Sequence, residues 1–370
     1  MPPVRSKPEL SLYIHFPWCV RKCPYCDFNS HGLRGEVPET KYIEALLRDL
    51  DHDLAGGETR ALRSIFMGAG TPSLFSGTAI AGLLEPVNRR IAFAPDIEIT
   101  LEANPGTADA DNFRDYRAGG VNRLSIGVQS LNAAQLKALG RIHDPGEAIS
   151  AYRKAREAGI ANINLDLMFA LPKQTVDEAL EDLRGVMALQ PEHVSWYQLT
   201  LEPNTEFAAR PPALPDDETA WAMQEQGQDL LANAGYAQYE ISAYAQPGRR
   251  AAHNLNYWRF GDYLGIGAGA HGKLTREGGI ERRAKHKHPK TYLQSAGGEQ
   301  GIQEQRGIEP GELPFEFCMN ALRLREGFTL EHFNAATGLA PSALEPALSR
   351  ARALGLLDTA DGIIRASELG

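Results

Sequence analysis

Three cysteines, Cys19, Cys23 and Cys26, fall within eight residues of the segment HFPWCVRKCPYCDFNSH. Thiolates are the protein ligands of iron–sulfur clusters. Three on one short loop, spaced Cys-x3-Cys-x2-Cys, reach three of the four irons of a cubane and leave the fourth open to a small molecule. Two other readings fit the same residues: a zinc site completed by His15 or His31, and unpaired thiols that cluster by chance. The fourth cysteine, Cys318, lies on an apolar helical stripe and reads as core.

Further polar residues fall where apolar runs end. The turn Gly68-Ala69-Gly70-Thr71-Pro72 lets backbone groups approach a ligand closely, although a plain structural turn has the same composition. Glu102 and Asp166 each sit in an apolar run, where an unpartnered carboxylate is costly. Either they pair with Arg123 or Arg141, or ligand hydroxyls and an ammonium serve them. Gln129 ends another run. Tyr25 either stacks on a flat ligand or seals the cysteine loop from water. The string His253-Asn254-Leu255-Asn256-Tyr257-Trp258 reads as a packed loop or as a ligand site; in a helix, His253 and Tyr257 share one face.

The elements that must carry these residues repeat as βα units. Short apolar runs at 10–15, 64–67, 97–102, 123–128, 162–168 and 193–199 alternate with helical patterns at 40–54, 78–91, 109–118, 146–158 and 176–189. Parallel strands with helical crossovers follow. A doubly wound sheet satisfies the same pattern, but six consecutive units favour an incomplete barrel, with function gathered where strands end. The small-residue run 264–272 permits close backbone approach and is expected to close the ligand pocket, with His271 as a secondary ligand candidate. After a glycine-rich stretch at 295–311, helices at 315–324, 330–336 and 342–354 and a hairpin at 356–366 suggest a winged-helix-like module.

The segment LYIHFPWCVRKCPYCDF resembles the radical S-adenosylmethionine superfamily, and within it the branch of the anaerobic coproporphyrinogen oxidase HemN and the heme chaperone HemW. The resemblance implies an α/β fold: a partial (β/α)6 TIM-like barrel over residues 1–240, a barrel-closing segment over 241–309, and a small HemN-type C-terminal domain over 310–370. The sequence stops soon after the wing, so a terminal helix present in some relatives is expected to be missing. The resemblance also implies a [4Fe–4S] cluster on Cys19, Cys23 and Cys26. S-adenosylmethionine (SAM) would then be held by Tyr13, Tyr25, Ala69, Gly70, Thr71, Glu102, Gln129, Arg141 and Asp166. Ala69 stands where a glycine is usual, so a positive φ there would strain the contact.

Two departures separate the branches. Phe28 stands where the oxidase carries a further cysteine, and His253 to Trp258 match the HNxxYW motif of the HemW branch. That motif implies heme, with His253, then Tyr257, as axial ligand and Trp258 flanking the porphyrin. The expected function is therefore a heme chaperone that delivers heme to acceptor proteins, respiratory cytochromes at the membrane surface among them. The alternative is a radical oxidoreductase acting on a porphyrinogen, supplied by an electron donor to the cluster; enzyme status stays open.

The 370 residues are 43% hydrophobic, enough for one large and one small domain. No run of about 18 apolar residues exists to span a membrane, and MPPVRSKPELS lacks a signal-peptide core, which points to a reducing cytoplasm. A net charge of −9 argues against nucleic-acid binding, as do five Arg or Lys against eight Asp or Glu in residues 310–370. The basic run 282–290 is the exception and reads as a solvated loop, a porphyrin-propionate site or a contact with anionic lipid.

Overall fold

The computed structural model describes residues 7–107 and 110–370. Six strands alternate with helices: β1 (Leu10–Phe16), α1 (Glu39–Leu54), β2 (Leu62–Ala69), α2 (Gly77–Arg90), β3 (Phe93–Ala103), α3 (Ala110–Ala118), β4 (Arg123–Gln129), α4 (Ala133–Ala138), α5 (Pro145–Glu157), β5 (Ile163–Phe169), α6 (Val176–Met187) and β6 (His193–Gln198). All six strands pair in parallel and in sequence order. Helix starts follow their caps. Asp144 and Thr175 each form a capping box with a Glu three residues on, opening α5 and α6. Asp109, with which the expected third helix begins, lies outside the described residues.

Strand periodicity decides where the site forms. On β1, Leu10, Leu12, Ile14 and Phe16 are fully buried toward the helices, as are Leu124, Ile126 and Val128 on β4 and Ile163, Leu165 and Leu167 on β5. The intervening residues are polar: Ser11, Tyr13 and His15; Arg123 and Ser125; Asn164 and Asp166. The barrel therefore has an apolar outer layer and a hydrophilic interior.

The chain past β6 extends this sheet at both edges. After α7 (Asp217–Asn233), β7 (Ala237–Glu240) and β8 (Ala243–Ala245) add antiparallel to β6, and α8 (Ala252–Trp258) crosses back to pack on β1 and β2. Then β9 (Asp262–Ile266) pairs in parallel with the far side of β1, a seventh parallel strand beyond the six expected. An antiparallel ribbon follows, made of β10 (His271–Arg276), β11 (Gly279–Lys285) and, after α9 (Pro289–Ser295), β12 (Ile302–Gly307). The twelve strands run β12-β11-β10-β9-β1-β2-β3-β4-β5-β6-β8-β7, so the segment after residue 240 prolongs both edges and does not join them. Gly267, at φ 107, lets the end of β9 cross β1: a Cβ there would meet the His15 carbonyl oxygen at 2.4 Å.

The basic run differs from a solvated loop. Arg282, Arg283 and Lys285 lie on β11 and pair with Glu316, Asp53 and Asp49 respectively, because α1 and the helix at Leu313–Ala321 present carboxylates to that strand.

The C-terminal module packs α10 (Leu313–Ala321), α11 (Leu330–Thr337) and α12 (Ala347–Ala353) on a small sheet of β13 (Phe328–Thr329), β14 (Leu357–Ala360) and β15 (Ile363–Ala366), around Phe317, Phe328, Phe333 and Ile364. The helix expected over 342–354 is divided, with a 3-10 turn at Pro341–Leu344 before α12; Pro346 has no N–H to continue the ladder. Cys318 packs against this core, and burial pushes its thiol up to about 11. Among the described residues no helix is long and apolar enough to cross a membrane.

Candidate functional site

The loop after β1 carries Cys19, Cys23 and Cys26, all half-buried and free of disulfides. Among the described residues no three His, Cys, Asp or Glu side chains are placed to hold a single metal ion. A zinc site needs such convergence, whereas a cubane takes each thiolate on a different iron and so spreads them. His15 is also unavailable to zinc: Nε2 donates to the Asn29 carbonyl (2.9 Å), leaving Nδ1 to accept from the Tyr13 hydroxyl (3.0 Å). Burial raises the Cys19 and Cys26 thiols, a cost that bound iron reverses. Arg141 Nη1 donates to Cys23 Sγ (3.7 Å) and Nη2 to the Gly127 carbonyl (2.9 Å).

Above this loop opens a cavity of about 580 Å3 at the C-terminal ends of the strands. The three cysteines line it, and so do Tyr25, Ala69, Gly70, Thr71, Glu102, Gln129, Arg141 and Asp166. Tyr13 does not; it faces a second cavity. The turn after β2 runs against the end of β1, where Gly70 N–H donates to the Phe16 carbonyl and Thr71 N–H to that of Trp18, both at 2.8 Å. A Cβ on Gly70 would stand 2.5 Å from the Phe16 oxygen, so only glycine fits. Ala69 adopts φ 90, a left-handed conformation that strains an L-residue, and its N–H donates to Glu102 Oε2 (2.9 Å).

Neither interior carboxylate meets a guanidinium among the described residues. Arg123 instead approaches Glu98, and Arg141 turns to Cys23 and Gly127. Asp166 accepts from Asn164 Nδ2 (2.7 Å) and Ser125 Oγ (3.0 Å); burial still raises its carboxyl. Among the described residues Glu102 has the single Ala69 donor, and burial together with the Asp166 charge pushes it up to about 8. Arg141 Nε is buried with no partner among the described residues. Tyr25 packs on Phe207, and Gln129 accepts from the Tyr197 hydroxyl (2.8 Å).

A second cavity, about 890 Å3, adjoins the first, and Ala69, Glu102, Asn254 and Trp258 line both. The string 253–258 is helix α8, not a loop. His253 and Tyr257 line the second cavity together with Tyr13, Phe66 and Tyr263. The His253 ring stacks on Phe66 at 4.0 Å between centroids, and its Nδ1 faces Glu98 Oε1 at 3.4 Å. Nε2 makes no protein hydrogen bond among the described residues. Burial lowers the His253 pKa, so the ring is neutral with its lone pair on Nε2. Burial pushes Glu98 up, but His253, Arg123 and the Ala252 N–H outweigh it and hold the carboxyl down to about 2. Tyr257, half-buried against Tyr263, has its phenol raised well above 10 by loss of solvent. His271 stands exposed on the same cavity.

Comparison with known proteins fixes the family. The model of the radical SAM superfamily matches residues 13–185, and that of the HemN C-terminal domain matches residues 308–370. The heme chaperone HemW of Escherichia coli is 55% identical over 351 residues, covering 95% of this chain and 92% of that protein. The heme chaperone HemW of Haemophilus influenzae is 54% identical over 343 residues, 91% of this chain and 88% of that one. This chain belongs to the HemW family. The fold is shared more widely: the structure of coproporphyrinogen III oxidase (HemN) from Escherichia coli, a radical SAM enzyme, superposes with a TM-score of 0.82 over 98% of this chain and 87% of that one, at 23% identity.

Membership of the HemW family implies a [4Fe–4S] cluster and SAM, and the residues around the smaller cavity suit both. The sequence reading missed three residues around the two cavities. Glu98 lies four residues before Glu102 on β3, hence on the same inward face; that spacing was the available signal. Tyr197 ends the inward face of β6 in the same way. Lys22, inside the cysteine loop, lines the larger cavity, and nothing in its local sequence marks it.

Proposed function

We propose that this protein carries heme in the cytoplasm and passes it to heme-accepting proteins, with a [4Fe–4S] cluster and SAM bound beside the heme. Cys19, Cys23 and Cys26 would hold the cluster. SAM would lie in the smaller cavity, where a lone-donor carboxylate on Glu102 and the unpartnered Arg141 Nε suit the ammonium and carboxylate of a zwitterion. Bound there, the cluster and SAM can supply one-electron chemistry. This chain's residues position the ligands, with Thr71, Gln129 and Asp166 offering polar contacts and Tyr25 an aromatic face.

One observation carries the heme reading: His253 has its Nδ1 turned to the Glu98 carboxylate and its neutral Nε2 left without a protein partner on a large aromatic-walled cavity. A carboxylate behind a histidine fixes the tautomer and makes the free nitrogen a better ligand. Tyr257, with a raised phenol, ionises at greater cost and ranks second; Trp258 borders the site. The curated relatives are called heme chaperones, in accord with this reading. Acceptors such as respiratory cytochromes at a membrane surface fit a carrier, and an electron donor is needed only where the cluster is reduced.

The test is anaerobic reconstitution, iron and sulfide assay, and heme titration of the parent and His253→Ala. One heme per chain is expected, with a displaced Soret band and about ten-fold or greater loss of affinity in the variant. Undiminished affinity removes the ligand assignment. Turnover of coproporphyrinogen by the parent would instead identify a radical oxidoreductase.

A further inference from the structure

We propose that Lys22 and Lys287 form a two-point clamp for carboxylates at the mouth of the larger cavity, selecting a flat aromatic cargo with two acid groups on one edge. This rests on the heme-carrying reading and adds what recognises the acid groups.

Both lysines are exposed, and both line the cavity. Neither has a carboxylate within ion-pair distance among the described residues. Within the basic run 282–290, Arg282 pairs with Glu316, Arg283 with Asp53 and Glu281, and Lys285 with Asp49 and Asp53, which leaves Lys287 and Lys290 without a carboxylate among the described residues. Of that run, Lys287 alone lines this cavity. Asp27 shares the rim but pairs with neither lysine.

Neighbouring residues of one loop hold the Lys22 ammonium and the Lys287 backbone. Lys22 Nζ donates to the Phe28 carbonyl (2.9 Å), and Asn29 Nδ2 donates to the carbonyls of Lys287 and Ala268, both at 2.9 Å. His31 Nε2 lies 3.3 Å from the same Lys287 oxygen. The loop that bears the cysteines thus holds the Lys22 ammonium and anchors the backbone from which the Lys287 side chain reaches the rim. Deeper in, the cavity walls are the rings of Tyr13, Phe66, Tyr257 and Tyr263, so an apolar plane is accommodated inside and acid groups at the rim. Two ammonium groups demand two anions, and a porphyrin with paired propionates meets that pattern.

The full reconstituted chain is titrated anaerobically with heme and with heme dimethyl ester, in the parent, Lys22→Gln, Lys287→Gln and the double variant. The parent should prefer heme over the ester by about ten-fold. Each single variant should lose about three- to five-fold for heme and nothing for the ester, as expected for exposed charge pairs. Heme binding to the parent should weaken between low and high salt, and that of the double variant should not. Intact heme binding by the double variant, or equal binding of heme and ester by the parent, overturns the clamp while leaving the heme reading in place. A parent that binds neither overturns both.

Discussion

Glu102 gives the sharpest test of the claim that the smaller cavity is built for a ligand and not for stability. Its carboxyl is pushed from the ordinary 4.5 up to about 8, by burial first and by the Asp166 charge second, against one hydrogen bond from Ala69. The folded state therefore holds a proton that the unfolded chain releases from pH 4.5 upward. Between 4.5 and about 8 the folded chain binds one proton more, so stability falls as pH rises, by about 1.4 kcal/mol per pH unit. The full span bounds the loss at about 5 kcal/mol, and the interval from pH 6 to 8 at about 3 kcal/mol. Glu102→Gln keeps the shape and removes the charge, so the variant should melt above the parent at pH 8 and approach it at pH 5. For a chain of this size, 2 to 3 kcal/mol corresponds to a rise of several degrees. The assay is a series of thermal melts of cluster-free protein from pH 5 to 8.5. The reconstituted parent should then gain melting temperature on addition of SAM while the variant gains little, the usual exchange of stability for function. Parallel pH profiles for parent and variant would refute the reasoning, because they would mean that Glu102 ionises freely in the fold.

Ala69→Gly removes the side chain strained at φ 90, and net of the added chain entropy it should stabilise the fold by roughly 0.5–1 kcal/mol, read as a raised denaturant midpoint. A lowered midpoint would mean that the methyl packs usefully. Glu98→Gln loses a carboxylate held down to about 2; burial opposes that shift, and His253, Arg123 and the Ala252 N–H produce it. The native contribution is complete above pH 4.5 and lost as pH falls toward 2. The variant should therefore be less stable by about 3 kcal/mol at pH 7, with the gap closing toward pH 3 in denaturant titrations. A gap independent of pH would place the loss in packing instead.

The six parallel strands were legible because each is a short apolar run bounded by turn residues, and their bounds fall within a few residues of those expected. The seventh, β9, was not, because Leu264-Gly265-Ile266-Gly267 reads as a small-residue run for close backbone approach at a ligand; Gly267 instead lets β9 cross β1, and Gly265 lets β10 pack against β9. Periodicity could not foresee that Arg282, Arg283 and Lys285 would be neutralised, since Glu316 comes from α10 and Asp49 and Asp53 from α1; only Glu281, two residues from Arg283 on β11, is a local partner. The cysteine loop and eight of nine expected SAM contacts converge on one cavity because strand ends in a parallel barrel converge by construction. Tyr13 departs for a similar reason. Its hydroxyl is taken by His15 Nδ1 on the same strand, which turns the ring into the neighbouring cavity.

How the interior is satisfied separates structure from site. From Asp166 a run of hydrogen bonds descends through Asn164 to His193 Nδ1 (2.6 Å), from His193 Nε2 to the Tyr239 hydroxyl (2.9 Å), and on to Asn254 Nδ2 (3.1 Å) in α8. Because Asn164 Nδ2 donates to Asp166, its Oδ1 accepts from His193 Nδ1–H. His193 Nε2 must then accept from Tyr239, which requires a neutral ring, and burial lowers the His193 pKa in the same sense. Asp166, Asn164, His193 and Tyr239 are thereby tied into one hydrogen-bonded run beneath α8. Among the described residues Glu102 has one donor, Arg141 Nε has none, and His253 Nε2 makes no protein hydrogen bond. Unpartnered buried atoms also occur away from the cavities, Thr100 Oγ1 and Arg123 Nε among them, so it is the placement of Glu102, Arg141 and His253 on cavity walls, and not the want of a partner alone, that suits them to a ligand.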